Sequence, residues 1–576
     1  MKTRILFIVI LTLLLGDILL CGTDHRNGNF DLSVLPAKSL FLQSNNVHAV
    51  IRTDGILNYD KVTLPYFTGG FIWPVGSTVR TSMIFASGIW IGAKVILPGN
   101  QKDLRVAASF YNSHYTQGNI PINGSVPPLS VCNDSAFNGY LVSTTDQSLV
   151  NGGVRYKNAG GRTFTFVYTS WAAWPVNLGA PFVEVNGLPG YQPGWNSDRP
   201  SNGVNDSRPD NMIFSVFMDY TNCTGNPHVS ELSLPGGSLP LGAEIHQIAY
   251  SYLLPGMLNS YLVTYKIINK SGRNWDSTYV SLVNDCDVGD AADDLVGCDS
   301  ILNLAYTCNS DNEDPVYGTA PPAVGYKVIQ GPVVYTGINS DTAKLPCYAK
   351  PRYKMMFMTV HNRFVSGGNE CTGDPELYTY AYNFMRGKDG CGRDIYDSAR
   401  GRFTQYVFNS NSCQSPDPFA GDKRNLISSG PFTMASGDTQ VVTYAYDCER
   451  GSSHIQSVCS VKESLVRMVG FYYDCSGTIG IEPVGITIPQ NYSLEQNYPN
   501  PFNPETLIKF SIPEGNFTSL RIYDILGKEV AVLVNEELAA GSYKITYTAA
   551  DLPSGIYLYL LSSGSFVEAK KMILIK

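Results

Sequence analysis

The sequence predicts a mainly β protein: one large or two moderate β-sandwiches, followed by a small C-terminal one. Three observations carry this. Charged residues are only 16% of the 576 positions, while Gly (54), Pro (34) and Tyr (36) are plentiful. Low charge with many turn-formers and aromatics suits short strands joined by frequent turns. Alternating, aromatic-rich stretches recur at Thr163–Tyr168, Met212–Met218, Ser260–Ile268 and Gln440–Tyr446. Turn clusters such as Pro235-Gly236-Gly237-Ser238 and Ser271-Gly272 lie between them.

In chain order, Lys2 and Arg4 precede an apolar run from Ile5 to Leu15 that only Thr12 breaks. A basic start and an apolar run too short to span a bilayer form a signal peptide, here 1–22, with Gly22 its last residue. The rival reading lipidates Cys21, but Leu20 stands where such signals want a small residue. No later run reaches transmembrane length, so the mature chain is expected to have no transmembrane segment. The region 23–480 reads as β-rich, with a possible division near 225–243, where Pro and Gly cluster, and a linker at 481–490. One helix is expected near Ser453–Tyr473, where Ile455, Val458, Leu465, Val466 and Val469 recur at roughly helical spacing and Glu463 precedes Arg467 by four.

The net charge of −8 argues against a nucleic-acid partner, which needs clustered Lys and Arg. Of the 13 cysteines, those beyond Cys21 form an even set, which in an exported chain points to disulfides. Cys448–Cys459 and Cys286–Cys298 are the local pairings expected. No C-x-x-C, His-Glu-x-x-His, G-x-S-x-G or phosphate-cradling G-x-x-x-x-G-K occurs. A polysaccharide hydrolase needs only two carboxylates from distant positions, for which Glu184, Glu244 and Glu370 are available. Trp73, Trp90, Trp171, Trp174 and Trp195 could stack on sugars, although W-A-A-W-P (Trp171, Trp174) reads better as core.

The densest chemistry is acidic. Asp285, Asp287, Asp290, Asp293, Asp294, Asp299, Asp311, Glu313 and Asp314 fall within 284–314, with no Lys or Arg between. Carboxylates this crowded repel unless they are solvated or share a cation. Calcium is the expected cofactor, with Asp285, Asp287, Asp290, Asp293 and Asp294 as ligands. A plain solvated loop is the alternative. The spacing is not an EF-hand: Gly289, Asp290 and Val296 stand where that loop wants Asp, Gly and Glu.

At the C terminus, Ile508, Phe510 and Ile512 alternate as a half-buried strand, and Leu520, Ile522 and Ile525 continue toward a turn at Gly527. Gly541 and Gly555 punctuate further strands, and Ser562-Ser563-Gly564-Ser565 joins the last two as a hairpin. Five to seven strands in residues 491–576 make a small immunoglobulin-like sandwich. Asn497-Tyr498-Pro499-Asn500-Pro501-Phe502-Asn503-Pro504, then Tyr523-Asp524 with Gly527-Lys528, Ser554-Gly555, and Lys570-Lys571-Met572 stand in order. This arrangement resembles the type A C-terminal sorting domain of the type IX secretion system. The resemblance implies periplasmic transit, recognition by the translocon, removal of the tail by a sortase-like peptidase, and a secreted or cell-surface location. Asp293–Asp299, Ala320–Tyr326 with Gln330-Gly331-Pro332, and Ser429–Thr433 resemble stretches of other exported proteins with this tail, but imply no activity. The expectation for 23–480 is a non-catalytic structural, adhesive or glycan-binding protein, engaging a glycan or itself. A secreted polysaccharide-degrading hydrolase is the alternative.

Overall fold

A computed structural model describes residues 37–576, except 44, 61–67, 78–80, 122–123, 160, 185–190, 194–208, 232, 255, 347, 399, 474–481, 484–490, 514–515, 539–540, 550–551 and 576. The expected signal peptide, most of the linker, Cys347, Cys475, Trp195 and the Glu184 side chain lie outside the described set.

The chain is mainly β, 49% strand and 11% helix. Two antiparallel sheets dominate residues 37–473. The first runs Val360–Val365, Lys423–Met434, Trp275–Asp285, Ala86–Ile96, Ile56–Leu57, His48–Arg52, Phe71–Ile72, Ser82–Ile84. The second runs Thr116–Gln117, Asn211–Met218, Ala243–Ser251, Ser260–Asn269, Thr439–Glu449, Ala323–Gln330, Leu304–Asn309, Asp294–Asp299. They share one core. Ile51, Ile89, Ile91 and Leu282 of the first interleave with Tyr261, Val263, Tyr326 and Tyr446 of the second. The Phe71 ring lies 5.6 Å from that of Tyr261. Of the two expected arrangements, the structure is therefore the single large sandwich. The stretch 225–243 is part of the connection between two strands that pair with each other.

Each sheet also has a covered outer face, which explains strands buried at every position, such as Asn211–Met218 and Ala323–Gln330. The helix Tyr378–Met385 lays Tyr382, Phe384 and Met385 over Trp90, Val283 and Leu426. The helix His454–Tyr473 lays Val458, Val461, Leu465 and Met468 over Leu304, Tyr306 and Ala445. That helix starts one residue after the expected position, with the Ser453 hydroxyl accepting from Gln456 N–H at 3.2 Å. Its seating face is rotated from the one read in sequence: Ile455 is exposed, and Val461 and Met468 are buried. Gly325 permits the close approach, since a Cβ there would lie 2.3 Å from Val461 Cγ1. Between the sheets, Tyr261 donates to Asn58 Oδ1 (3.0 Å), Asn58 to Ser87 Oγ (3.1 Å), and Ser87 and Tyr446 both to Asn284 Oδ1 (2.9 and 3.0 Å). A buried chain of this kind ties one sheet to a fixed register on the other.

The cysteine pairing differs from the local pairs expected. Cys132–Cys223, Cys371–Cys391 and Cys413–Cys459 are bonded, whereas Cys286, Cys298, Cys308 and Cys448 are buried thiols. Cys286 follows a strand of the first sheet and Cys298 lies in a strand of the second, so closeness in sequence is not closeness of sulfurs. Cys448 turns into the core, while Cys459, on the helix, meets the loop at Cys413.

The C-terminal region is a second, smaller sandwich of two four-stranded sheets. Glu482–Pro483, Gly541–Thr548, Glu505–Ile512 and Ser493–Leu494 form one. Glu529–Leu538, Asn516–Asp524, Gly555–Ser563 and Phe566–Leu574 form the other. Ile508, Phe510, Ile512, Leu520, Ile522, Tyr559 and Met572 fill the space between them. Ile525 does not continue this pattern; it is exposed in the turn.

Candidate functional site

The acidic stretch is not one loop. Asp285 ends a strand of the first sheet, Asp294 and Asp299 begin and end one of the second, and the rest lie in the connections. Its carboxylates sort into three places.

The first gathers Asp285, Asp287 and Asp422, whose oxygens lie within 4.8 Å of one another. Arg424 answers them, with Nε 3.3 Å from Asp285, Nη1 3.0 Å from Asp422, and Nε 3.9 Å from Asp374. The Tyr111 hydroxyl donates to Asp285 and accepts from Arg424 at 3.1 Å. Burial, and then the Asp287 charge, push the Asp285 carboxyl well above the usual range. Neighbouring carboxylates pull the Arg424 guanidinium further up against its desolvation.

The second surrounds Asn309. Its Nδ2 lies 3.0 and 3.1 Å from the two Asp293 oxygens and 3.1 Å from Asp314 Oδ2. Asp294 is its cross-strand partner and accepts from Val288 N–H at 3.0 Å. Asp314 is oriented by backbone N–H groups: Val316 (2.8 Å) and Tyr317 on Oδ1, Asp290 (3.1 Å) on Oδ2. Asp290 caps a short turn through Ala292 N–H at 3.1 Å. Burial pushes the Asp293 carboxyl up to about 6 and the Asp294 carboxyl well above its ordinary value.

The third is an ion pair. Lys462 of the His454–Tyr473 helix is wholly buried, 3.1 Å from Asp299 and 2.8 and 2.7 Å from the Ser410 and Ser412 carbonyls. Burial lowers the Lys462 ammonium. Asp299 Oδ1 accepts from Ile301 and Leu302 N–H, both at 3.1 Å.

Of the expected ligands, Asp285 and Asp287 thus meet in one place, and Asp293 and Asp294 in another with Asp290 at its edge. Asn309, Asp374, Asp422, Arg424 and Tyr111 were not singled out from sequence. Strand pairing could have found Asn309 and Arg424, because it brings Asp294 opposite Asn309 and Asp285 opposite Arg424, whereas Tyr111, Asp374 and Asp422 lie in connections. Glu244 is buried and spoken for, with His246 Nε2 at 3.1 Å, Ile120 N–H at 2.8 Å and Lys270 at 3.7 Å. Glu370 is exposed beside the Cys371–Cys391 bridge. Trp73, Trp90 and Trp174 are core residues rather than sugar platforms, and Trp171 is half-buried. Among the described residues, an aromatic pair with both rings exposed is Tyr396 and Phe403, cross-strand partners on the hairpin Ile395–Asp397 with Arg402–Thr404.

The C-terminal motif splits into two kinds of residue. Asn497 is buried and donates to Pro499 O (3.1 Å) and Thr506 Oγ1 (2.8 Å), while its N–H reaches Tyr559 OH (2.8 Å). Asn500 Oδ1 accepts from Ile573 N–H at 2.9 Å, and buried Phe502 exchanges backbone bonds with Ile573 and Ile575. Pro504 O accepts from Ala549 N–H at 2.9 Å. Asp524, beside Tyr523, closes a turn through Leu526 and Lys528 N–H, and Gly527 there takes φ +81°. Gly555 opens the strand paired to the last one, where Lys570 reaches Glu568 at 3.0 Å. Tyr498, Pro499, Pro501, Asn503 and Lys571 face solvent. A strap of this kind, fixed from within and presented outside, is the build of an address read by another protein.

The address is that of type IX secretion. Residues 496–576 match the secretion system C-terminal sorting domain, so the chain carries a type IX tail and is exported to the cell surface or medium. No helix among the described residues is long and apolar enough to cross a membrane. No curated protein matches the sequence. Among solved structures the chain is similar to a polysaccharide lyase at 9% identity, covering 85% of this chain and 47% of that one, with a TM-score of 0.19. It is also similar to PorZ, an essential surface component of the type IX system of Porphyromonas gingivalis, at 11% identity, covering 92% and 64%, with a TM-score of 0.13. The chain thus spans about half the length of the lyase, and neither likeness bears on its activity.

Proposed function

We propose that this type IX cargo is a non-catalytic structural, adhesive or glycan-binding protein, and that of these roles glycan binding has the best support. The observation that carries it is the Tyr396–Phe403 pair. Both rings are largely exposed, at 57% and 68%, with centroids 5.4 Å apart. Their hairpin is braced by Arg400, which donates to Asp397 at 2.7 Å and to the Asn409 carbonyl. Exposed rings on a braced hairpin offer an apolar face to the C–H face of a sugar at little entropic penalty, and the flanking Arg and Asp residues offer hydrogen bonds to hydroxyls.

The hydrolase reading has one observation of its own. Asp285, a carboxyl raised by burial, stands beside Asp287 and Asp422, and environments that push neighbouring carboxyls apart supply an acid and a base. One experiment separates the two. The purified exported chain is passed over a polysaccharide panel with calcium present, alongside Tyr396→Ala/Phe403→Ala. Retention without turnover, weakened at least about tenfold in the double variant at unchanged melting temperature, is expected. Released reducing ends would move the assignment to the hydrolase. Silence would leave a structural, self-associating role.

A further inference from the structure

We propose that the corner built by two short strand pairs between Gln330 and Val360 binds acidic polysaccharide, whose sugars carry carboxylate or sulfate groups. In a chain of net charge −8, residues 331–359 are an exception, with one acid, Asp341, against Lys344, Lys350, Arg352 and Lys354. Among the described residues, none of these four cations pairs with a carboxylate. Lys344, Arg352 and Lys354 are exposed, and Lys350 is half-buried.

The corner is firmly seated. Val333–Tyr335 pairs with Tyr353–Met355, and Thr342–Leu345 with Tyr348–Pro351. Ala343, Leu345 and Met355 close a small core between the pairs, with Val333, Tyr353 and the helix residue Tyr473 packed against it. Gln440 clamps the corner to the large sandwich: Val333 N–H donates to Gln440 Oε1 at 2.9 Å, and Gln440 Nε2 to Val333 O at 3.1 Å. Side chains carried on such a frame are held in place before a ligand arrives.

Tyr335 and Tyr353 are cross-strand partners with ring centroids 5.1 Å apart, and Tyr335 is 63% exposed. Lys350 Nζ lies 3.7 Å from the centroid of the Tyr353 ring. The ammonium is therefore placed by a ring face rather than by a carboxylate, and keeps its charge for a ligand. Arg352 takes φ +65°, which glycine adopts freely and a long side chain rarely. Its backbone is fixed there: its N–H donates to Asp341 O at 2.7 Å, and its carbonyl accepts from Thr336 N–H at 2.9 Å and Gly337 N–H at 3.3 Å. An exposed cation kept where glycine would fit better points to a role outside the fold. The exposed ring of Tyr335 suits the C–H face of a sugar, and Lys350 and Arg352 suit its anionic substituent. Lys344 points outward between buried Ala343 and Leu345, and Lys354 to the other side of its strand from Tyr353. These two strengthen the attracting field rather than the contact. Nucleic acid would meet the repulsion of the remaining, acidic chain.

This site is separate from the Tyr396–Phe403 pair and stands without it. To test it, the purified exported chain is titrated with polygalacturonate, dextran sulfate and neutral dextran, at low and high salt. Binding to at least one acidic polymer, weakened by salt and absent with dextran, is expected; the two acidic polymers tell carboxylate from sulfate. Tyr335→Ala and Lys350→Met should each weaken that binding at least about tenfold. Should those variants fold poorly, Arg352→Gly decides: it should weaken binding as much without lowering the melting temperature, because glycine suits the backbone there. Tyr396→Ala/Phe403→Ala should leave acidic-polymer binding unchanged, whatever it does to other glycans. Absence of acidic-polymer binding, equal binding to dextran, unchanged affinity in Arg352→Gly, or loss only in Tyr396→Ala/Phe403→Ala would each overturn the site. Tighter binding to DNA or to anionic phospholipid vesicles than to either acidic polymer would overturn it as well.

Discussion

In the C-terminal sandwich the strand Glu505–Ile512 alternates between exposed and buried, and among the described residues the domain's buried polar side chains are neutral: Asn497, Thr506, Thr518 and Ser563. The large sandwich has strands buried at every position and encloses Asp219, Asp285, Asp294, Asp299, Asp447, Lys462 and Arg424. All thirteen cysteines and all seven histidines precede residue 476, so the tail has neither. The small domain keeps its chemistry outside, in a contiguous strap that another protein reads. The large one keeps its charged chemistry inside, assembled from strands far apart in the chain.

Removing the address should have the largest effect. A chain lacking 491–576 should accumulate in the periplasm, with none in the medium or on the surface by immunoblot of the fractions. Ordinary release of the truncated protein would mean that the large sandwich carries an address too, and the division of labour would fail.

Next comes the interior charge. Lys462→Met leaves Asp299 buried without its counter-ion, which typically costs about 3–5 kcal/mol. Urea denaturation should show a correspondingly lower midpoint. A loss under about 1 kcal/mol would mean that water reaches Asp299, and that the large sandwich resembles the tail more than its burial suggests.

The same contrast explains what could be read in advance. Strand alternation around Phe510 and the run Asn497–Pro504 declare themselves within a few residues, because a half-buried strand imposes a period of two and the strap is continuous. The helix at 454–473 was legible from its spacing, but not its seating, since Val461 and Met468 are distinguished from Ile455 only by the sheet they meet. The acidic stretch announced crowded charge without its partition, because Arg424 and Asn309 enter through strand pairing. Lys462 gave no sign of being buried. Cysteine spacing misled for the same reason: the sulfurs follow the sheets, and the sheets are not ordered along the chain.

The smallest effect concerns His48, which is wholly buried with neither ring nitrogen hydrogen-bonded, its ring centroid 4.0 Å from that of Phe164 and 5.5 Å from that of Phe41. Burial, aided by the Arg162 charge, lowers its pKa to about 3, so the folded protein holds it neutral. The unfolded chain binds this proton below about pH 6.5, and the folded chain does not until about 3. The protons bound on unfolding therefore weaken the fold as pH falls through that window, by about 1.4 kcal/mol per unit. Buried carboxyls such as Asp285 and Asp447, raised in the fold, act in the opposite sense. The whole-protein curve mixes both, and only a difference isolates His48. His48→Phe keeps the aromatic packing and removes the titration. Relative to the parent it should gain about 2 kcal/mol between pH 7 and pH 5, from urea midpoints at each. Parallel curves would mean that His48 reaches solvent or a partner in the fold. The tail has no histidine, so any unfolding transition assigned to it should be identical in parent and variant at both pH values.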